Sequence, residues 1–224
     1  MARSHEPAAI RDSATRAARG LLAAAVLAVA LPLADGSSLL AQGVAAAPAR
    51  ELLNSERIEQ TFGSYGIEVL ESDGAVRVSN LYSEQGAERI CRTFAVVRYP
   101  ADVPPELTAE HETIVAGGSI GATFAARGWT VVKTHRYFGE VPTTSRLRAL
   151  MGGTAADRLA VHVYALDVVK SGARYEYARI AEVHHPDYLD LRAVRRTYMV
   201  GAAQAQGLDD ETRDLLELVG EKSR

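Results

Sequence analysis

Two stretches hold residue types that could do chemistry. The first, Gly117-Gly118-Ser119-Ile120-Gly121, fits the G-x-S-x-G pattern, in which a strained strand-to-helix turn presents a serine hydroxyl as a nucleophile. Such a serine needs a base and an orienting acid. In the chain order serine, acid, histidine, Asp167 and His184 would supply them. The second stretch, Glu182-Val183-His184-His185-Pro186-Asp187, gathers a carboxylate and two imidazoles, which are ligand types for a zinc-class ion. Its candidate ligands are Glu182, His184 and His185.

Each motif also has a plainer reading. A nucleophile elbow needs a strand entering it, and "ELTAEHET" before the glycines favours helix. The expectation is one continuous helix from Pro104-Pro105 to about Gly128, with Leu107, Ile114, Gly118, Gly121, Ala122 and Ala125 along one side. Glycine inside a helix costs about 1 kcal/mol relative to alanine, so that smooth side should serve close packing. For the histidines, strand parity argues against a shared ion. A two-residue loop at Ser171-Gly172 pairs Val163 with Ile180 and sets His162 opposite Ala181, on the face of His185. The two same-face histidines then stand ~13 Å apart along the strand, and Glu182 and His184 point the other way. A metal site would require a bulge.

The same register suggests a recognition surface. It collects His162, Tyr164, Tyr175, Tyr177 and Arg179 on one face and Val161, Val163, Ala165, Ala178 and Ile180 on the other. If helices cover the small apolar face, the tyrosines and Arg179 are left for a ligand or a partner. Rings offer wide contact with a hydrogen-bonding tip, and a guanidinium can grip a carboxylate.

The elements that must position these residues follow from turn signals and periodicity. A short helix from Glu51 ends at Gly63, and "GIEVLESDGAVRVSNLY" is a hairpin turning at Asp73-Gly74. A strand from Arg89 to Tyr99, apolar on both faces, belongs in the middle of the sheet. After the long helix come a strand at "WTVVKTHRYFGEV", a short helix near Ser145, a second hairpin turning at Ser171-Gly172, and two C-terminal helices. This order predicts an α+β fold: a single mainly antiparallel sheet of about five or six strands, with a long Gly/Ala-faced helix and the C-terminal helices packed on one face.

Residues 1–46 read as an address, because Arg3, Arg11, Arg16 and Arg19 precede an apolar run from Leu21 to Leu31. Pro32 and Asp35 break that run short of a membrane span, so no stable membrane insertion is expected after cleavage. Residues 47–224 should form a single α+β domain in the periplasm or outside the cell. The formal charge of −3 and the scattered lysines and arginines provide no basic face for nucleic acid. Cys91 has no partner for an intrachain disulfide and lies in an apolar run, as a buried thiol would. No motif calls for a cofactor. The functional expectation is a non-catalytic exported protein that binds a small ligand or serves as an accessory subunit of an envelope complex. The alternatives are a hydrolase using Ser119 or a metal-dependent enzyme.

Overall fold

The computed structural model describes residues 51–198 and 208–224; the expected leader, residues 1–46, lies outside them. The chain runs α1 (Asn54–Phe62), β1 (Gly66–Ser72), β2 (Val76–Gln85), β3 (Glu88–Arg98), α2 (Thr108–Val115), α3 (Ile120–Ala126), β4 (Thr130–Pro142), α4 (Ser145–Leu150), β5 (Arg158–Lys170), β6 (Ala173–His184), α5 (Leu191–Tyr198) and α6 (Asp210–Lys222). The six strands form one sheet in the order β1-β2-β3-β6-β5-β4, every neighbour antiparallel. The α+β class is as expected, and the doubly apolar β3 sits in the middle.

The β5–β6 hairpin determines what the sheet presents. Ser171 and Gly172 both have positive φ, 51° and 85°, the pairing that a two-residue turn needs to match the twist of its strands. The pairing it imposes holds only to Asp167 opposite Glu176. Beyond that point Leu166 pairs with Ala178, so Tyr177 is the extra residue of a bulge. From there every β6 partner is displaced by one residue, and His162 faces Glu182 instead of Ala181. A shift of one residue exchanges faces, because side chains alternate. Val161 and Val163 therefore share a face with Ala181 and Val183, while Ala178 and Ile180 join Tyr164 and Leu166.

Helices cover both faces of the sheet. On the face of Val161 and Val163, α4 and α6 bury Leu147, Leu215 and Val219 against Phe94 and Val96. The opposite face carries α2 and α3 at one end, through Ile114 and Phe124, and α1 and α5 at the other, through Ile58, Val194 and Tyr198. Each of these large apolar side chains contributes about 1.5–3 kcal/mol by leaving water. The two C-terminal helices thus pack on different faces, and the glycine-bearing segment lies over Tyr164, Leu166 and Ile180 rather than over the valines.

That segment is also two helices, not one. Gly117 takes φ 112°, its N–H reaches the Ile114 carbonyl at 3.0 Å, and the Gly118 N–H reaches the Thr113 carbonyl at 3.0 Å. These are the paired bonds of a Schellman closure, which ends a helix and satisfies its last carbonyls. Ser119 then serves as the extended N-cap residue of α3. The glycines allow a sharp break, which a continuous periodic reading passed over.

The break is tight at Gly118, where a Cβ would lie 2.8 Å from the Thr113 carbonyl oxygen and 3.1 Å from Thr123 Oγ1. Gly118→Ala should therefore cost about 1–3 kcal/mol, as overpacking does. Gly220→Ala, in α6 with nothing within 4 Å of its Cβ, should gain up to about 1 kcal/mol from helix propensity. Urea unfolding of the two variants checks both values, and a Gly118→Ala protein as stable as wild type would contradict the closure described.

Candidate functional site

Between the two helix pairs, the sheet leaves a cavity. It is half open to solvent and holds about 70 Å³, where one water takes roughly 10–15 Å³ by the same measure. There is room for a small organic molecule. Leu81, Val97, Leu166 and Ile180 of the sheet and Leu53 and Ile120 above it form the apolar wall. Arg77, Lys133, Tyr164 and Glu182 bring polar groups into the same space, and Ser119 and Gly121 of the helix break line its edge.

Arg77 alternates with Val76 and Val78 on β2, so its side chain enters the cavity face; it is 1% exposed. Nη1 donates to the carbonyls of Ile114 and Gly118, both at 2.8 Å, and Nε donates to Ser79 Oγ at 2.8 Å. A cation at the C-terminal end of α2 complements the helix dipole. Nη2 makes no close hydrogen bond, the guanidinium also interacts with the buried Tyr99 hydroxyl, and Arg77 pairs with no carboxylate among the described residues.

Lys133 is the second buried cation. Its side chain is 5% exposed, and Nζ lies 3.1 Å from Glu51 Oε1 and 5.1 Å from the ring centres of Tyr164 and Tyr198. Burial pulls its pKa down, but the electrostatic pull of Tyr198, Glu182 and Glu51 outweighs burial and holds it above the ordinary lysine value. Glu51 is the converse case. Burial pushes it up, and the hydrogen bond to His135 together with the Lys133 charge brings it below the usual carboxylate range.

Around Glu182 the sheet gathers a polar cluster. Glu182 Oε1 accepts from Asn54 Nδ2 and from the Tyr164 hydroxyl, each at 3.1 Å, while the Tyr188 hydroxyl donates to Asn54 Oδ1 at 2.7 Å. Burial raises the Glu182 pKa against the opposing pull of Lys133. His162 Nε2 lies 2.8 Å from His135 Nδ1, and His184 Nδ1 lies 3.1 Å from Thr93 Oγ1. Burial drives the His162 pKa well below the ordinary histidine value and His184 down to about 3, with the Lys133 charge adding to both. Both imidazoles are therefore neutral near pH 7.

The structure redistributes the residues singled out from sequence. Ser119 follows a helix, so the strand that a nucleophile elbow requires is missing. Asp167 binds Thr134 and Arg174 and points to the face opposite His184, whose ring is held by Thr93; the serine–acid–histidine set is not assembled. His185 leaves the metal candidates, since its Nδ1 accepts from the Asp187 N–H at 3.0 Å, and His162 takes its place beside Glu182 and His184. The recognition face is divided as well. His162 and Tyr164 line the polar cluster, whereas Tyr177 is fully buried under α2 and α3, with its hydroxyl 3.0 Å from His111 Nδ1. Tyr175 packs on Trp129, and Arg179 turns to the other face, where it pairs with Glu176 and Glu211. The new places of Arg179, Glu182 and His184 relative to His162 follow from the Tyr177 bulge and the alternation beyond it.

Sequence reasoning missed Arg77, Lys133, Asn54 and His135 as site residues. A charged residue alternating with valines in a hairpin strand, as at Val76-Arg77-Val78, was the available signal for Arg77. The role of His135 had no local signal, because a bulge at Arg136 lets His135 and Phe138 share a face.

No protein-family model matches the chain, and no curated relative does. A solved structure similar to it is the transcriptional regulator of the GntR family from Bacillus cereus, at 13% identity over 57% of this chain and 90% of that one, with a TM-score of 0.33. A likeness that loose says nothing of what this chain binds or does.

Proposed function

We propose that the chain is an exported binding protein for a small organic anion, a carboxylate on an apolar or aromatic body. The observation that carries this reading is Arg77. A buried guanidinium with no carboxylate beside it costs several kcal/mol in desolvation, which its hydrogen bonds to the Ile114 and Gly118 carbonyls and to Ser79 offset only in part. A ligand carboxylate would supply both the counter-charge and the missing acceptor, and the planar fork of arginine suits it. The apolar wall gives the body of such a ligand a dry surface. Lys133, already neutralised by Glu51, is less available to an incoming anion than Arg77.

Export rests on the leader-like composition of residues 1–46. No helix among the described residues is long and apolar enough to cross a membrane. The exported chain should begin between Gln42 and Ala49 on N-terminal sequencing, and recovery of Met1 or Ala2 there would overturn export.

For the ligand, benzoate and hexanoate serve as probes, with benzamide and hexanamide as uncharged counterparts. At least one acid should raise the melting temperature and bind by calorimetry, and its amide should not. Arg77→Lys keeps the charge but loses the fork, and should weaken the acid by about tenfold or more, which is about 1.4 kcal/mol. Amides that bind as well as their acids, or acids unaffected by Arg77→Lys, would contradict the reading.

A further inference from the structure

We propose that His162, Glu182 and His184 form a binding site for a divalent transition metal of the zinc class. The bulge sets His162 directly across from Glu182, with His184 two residues along the same strand and on the same face. One ligand atom from each lies within 4.8 Å of the others. All three residues are nearly inaccessible, at 0%, 3% and 0% exposure. Each nevertheless has an atom with no hydrogen-bond partner: His162 Nδ1, Glu182 Oε2 and His184 Nε2. Buried polar atoms are nearly always satisfied, and leaving one unpaired costs about 1–3 kcal/mol. Three open acceptors on three adjacent side chains call for a shared partner.

The remaining polar atoms of these side chains are held in the way metal ligands usually are. His184 Nδ1 has Thr93 Oγ1, which also accepts from Asn54 Nδ2 at 3.1 Å. Glu182 Oε1 is fixed by Asn54 and Tyr164. His162 Nε2 has His135 Nδ1, and His135 Nε2 lies 3.5 Å from Glu51 Oε2. The proton order that fills this chain runs from His162 Nε2–H to His135 and from His135 Nε2–H to Glu51. It leaves the lone pair of His162 Nδ1 free, and an Nδ1–H donated to Thr93 Oγ1 would do the same for His184 Nε2.

Two imidazoles and one carboxylate are the ligand set of zinc sites that keep a coordination position open. Nitrogen and oxygen donors without thiolate also suit cobalt(II) and iron(II), and select against calcium, which prefers oxygen alone. The ammonium of Lys133 opposes a cation here, and its pair with Glu51 offsets that charge. Glu182 also lines the cavity, so the metal site adjoins the space where the small anion is proposed to sit. The metal site does not depend on that ligand.

Cobalt(II) is the direct probe, with zinc competition as a second measurement. The purified full-length protein should take up one equivalent of cobalt and develop the visible bands of a four- or five-coordinate ion, and zinc should displace it. His184→Gln and His162→Gln should each weaken binding by about 100-fold or more, and His135→Gln by roughly 10–100-fold. Circular dichroism checks that the variants fold. Arg77→Lys should bind cobalt like wild type, which separates this site from the anion reading: cobalt binding without carboxylate binding overturns only the latter. Absence of stoichiometric cobalt uptake by the folded wild-type protein, or uptake unchanged in both histidine variants, would overturn the metal site.

Discussion

A single extra residue in one strand, Tyr177, sets what the two faces of this sheet can do. The Ser171-Gly172 turn on its own would place Arg179 and Ala181 among the residues of the cavity face, and would send Ile180, Glu182 and His184 to the other side. With the bulge in place, Glu182 and His184 share a face with His162, Tyr164 and Lys133. The bulge is held in turn by the side chain it inserts. Tyr177 is fully buried, stacks edge-on against Phe124 at 4.7 Å, and meets His111 through its hydroxyl. Returning to the turn register would take that ring out of its packing and move every β6 side chain beyond it.

The face so formed carries more charge than a core normally tolerates. Arg77, Lys133, Glu182 and three histidines lie within or around it, and the fold compensates unequally. Lys133 has Glu51, Asn54 links α1 to Glu182, Thr93 and Tyr188, and Arg77 uses its guanidinium to close the C-terminus of α2. The buried polar atoms without a hydrogen-bond partner include, on this face, Arg77 Nη2, the Tyr99 and Tyr198 hydroxyls, His162 Nδ1, Glu182 Oε2 and His184 Nε2. A protein keeps such groups at a cost in stability, and sites that bind ions or anions are where that cost is recovered.

Much of the architecture was legible in the chain. Asp73-Gly74 and Ser171-Gly172 announced the hairpins, and Gly63 ended α1 in the left-handed conformation. The doubly apolar β3 read as central, and the elements added up to an α+β sheet. Cys91 is buried and unpaired, as its apolar run suggested. What failed to read was local irregularity. Three glycines at helical spacing looked like a smooth packing surface, yet the positive φ of Gly117 and the demand of Arg77 for carbonyls make them a break. The run from Arg174 to His184 holds neither glycine nor proline to mark a bulge, so the turn register alone puts every β6 partner beyond Glu176 one residue out of place. Only the packing of Tyr177 against a helix distant in sequence decides it.

The pairing of β5 with β6 is the most direct test of this account. Cross-strand Hα and amide nuclear Overhauser contacts in the labelled protein report it residue by residue. The account predicts contacts of Tyr164 with Ile180 and of His162 with Glu182, and a break in the pattern at Tyr177. Contacts of Tyr164 with Arg179 and of His162 with Ala181, continuous to the turn, would contradict it.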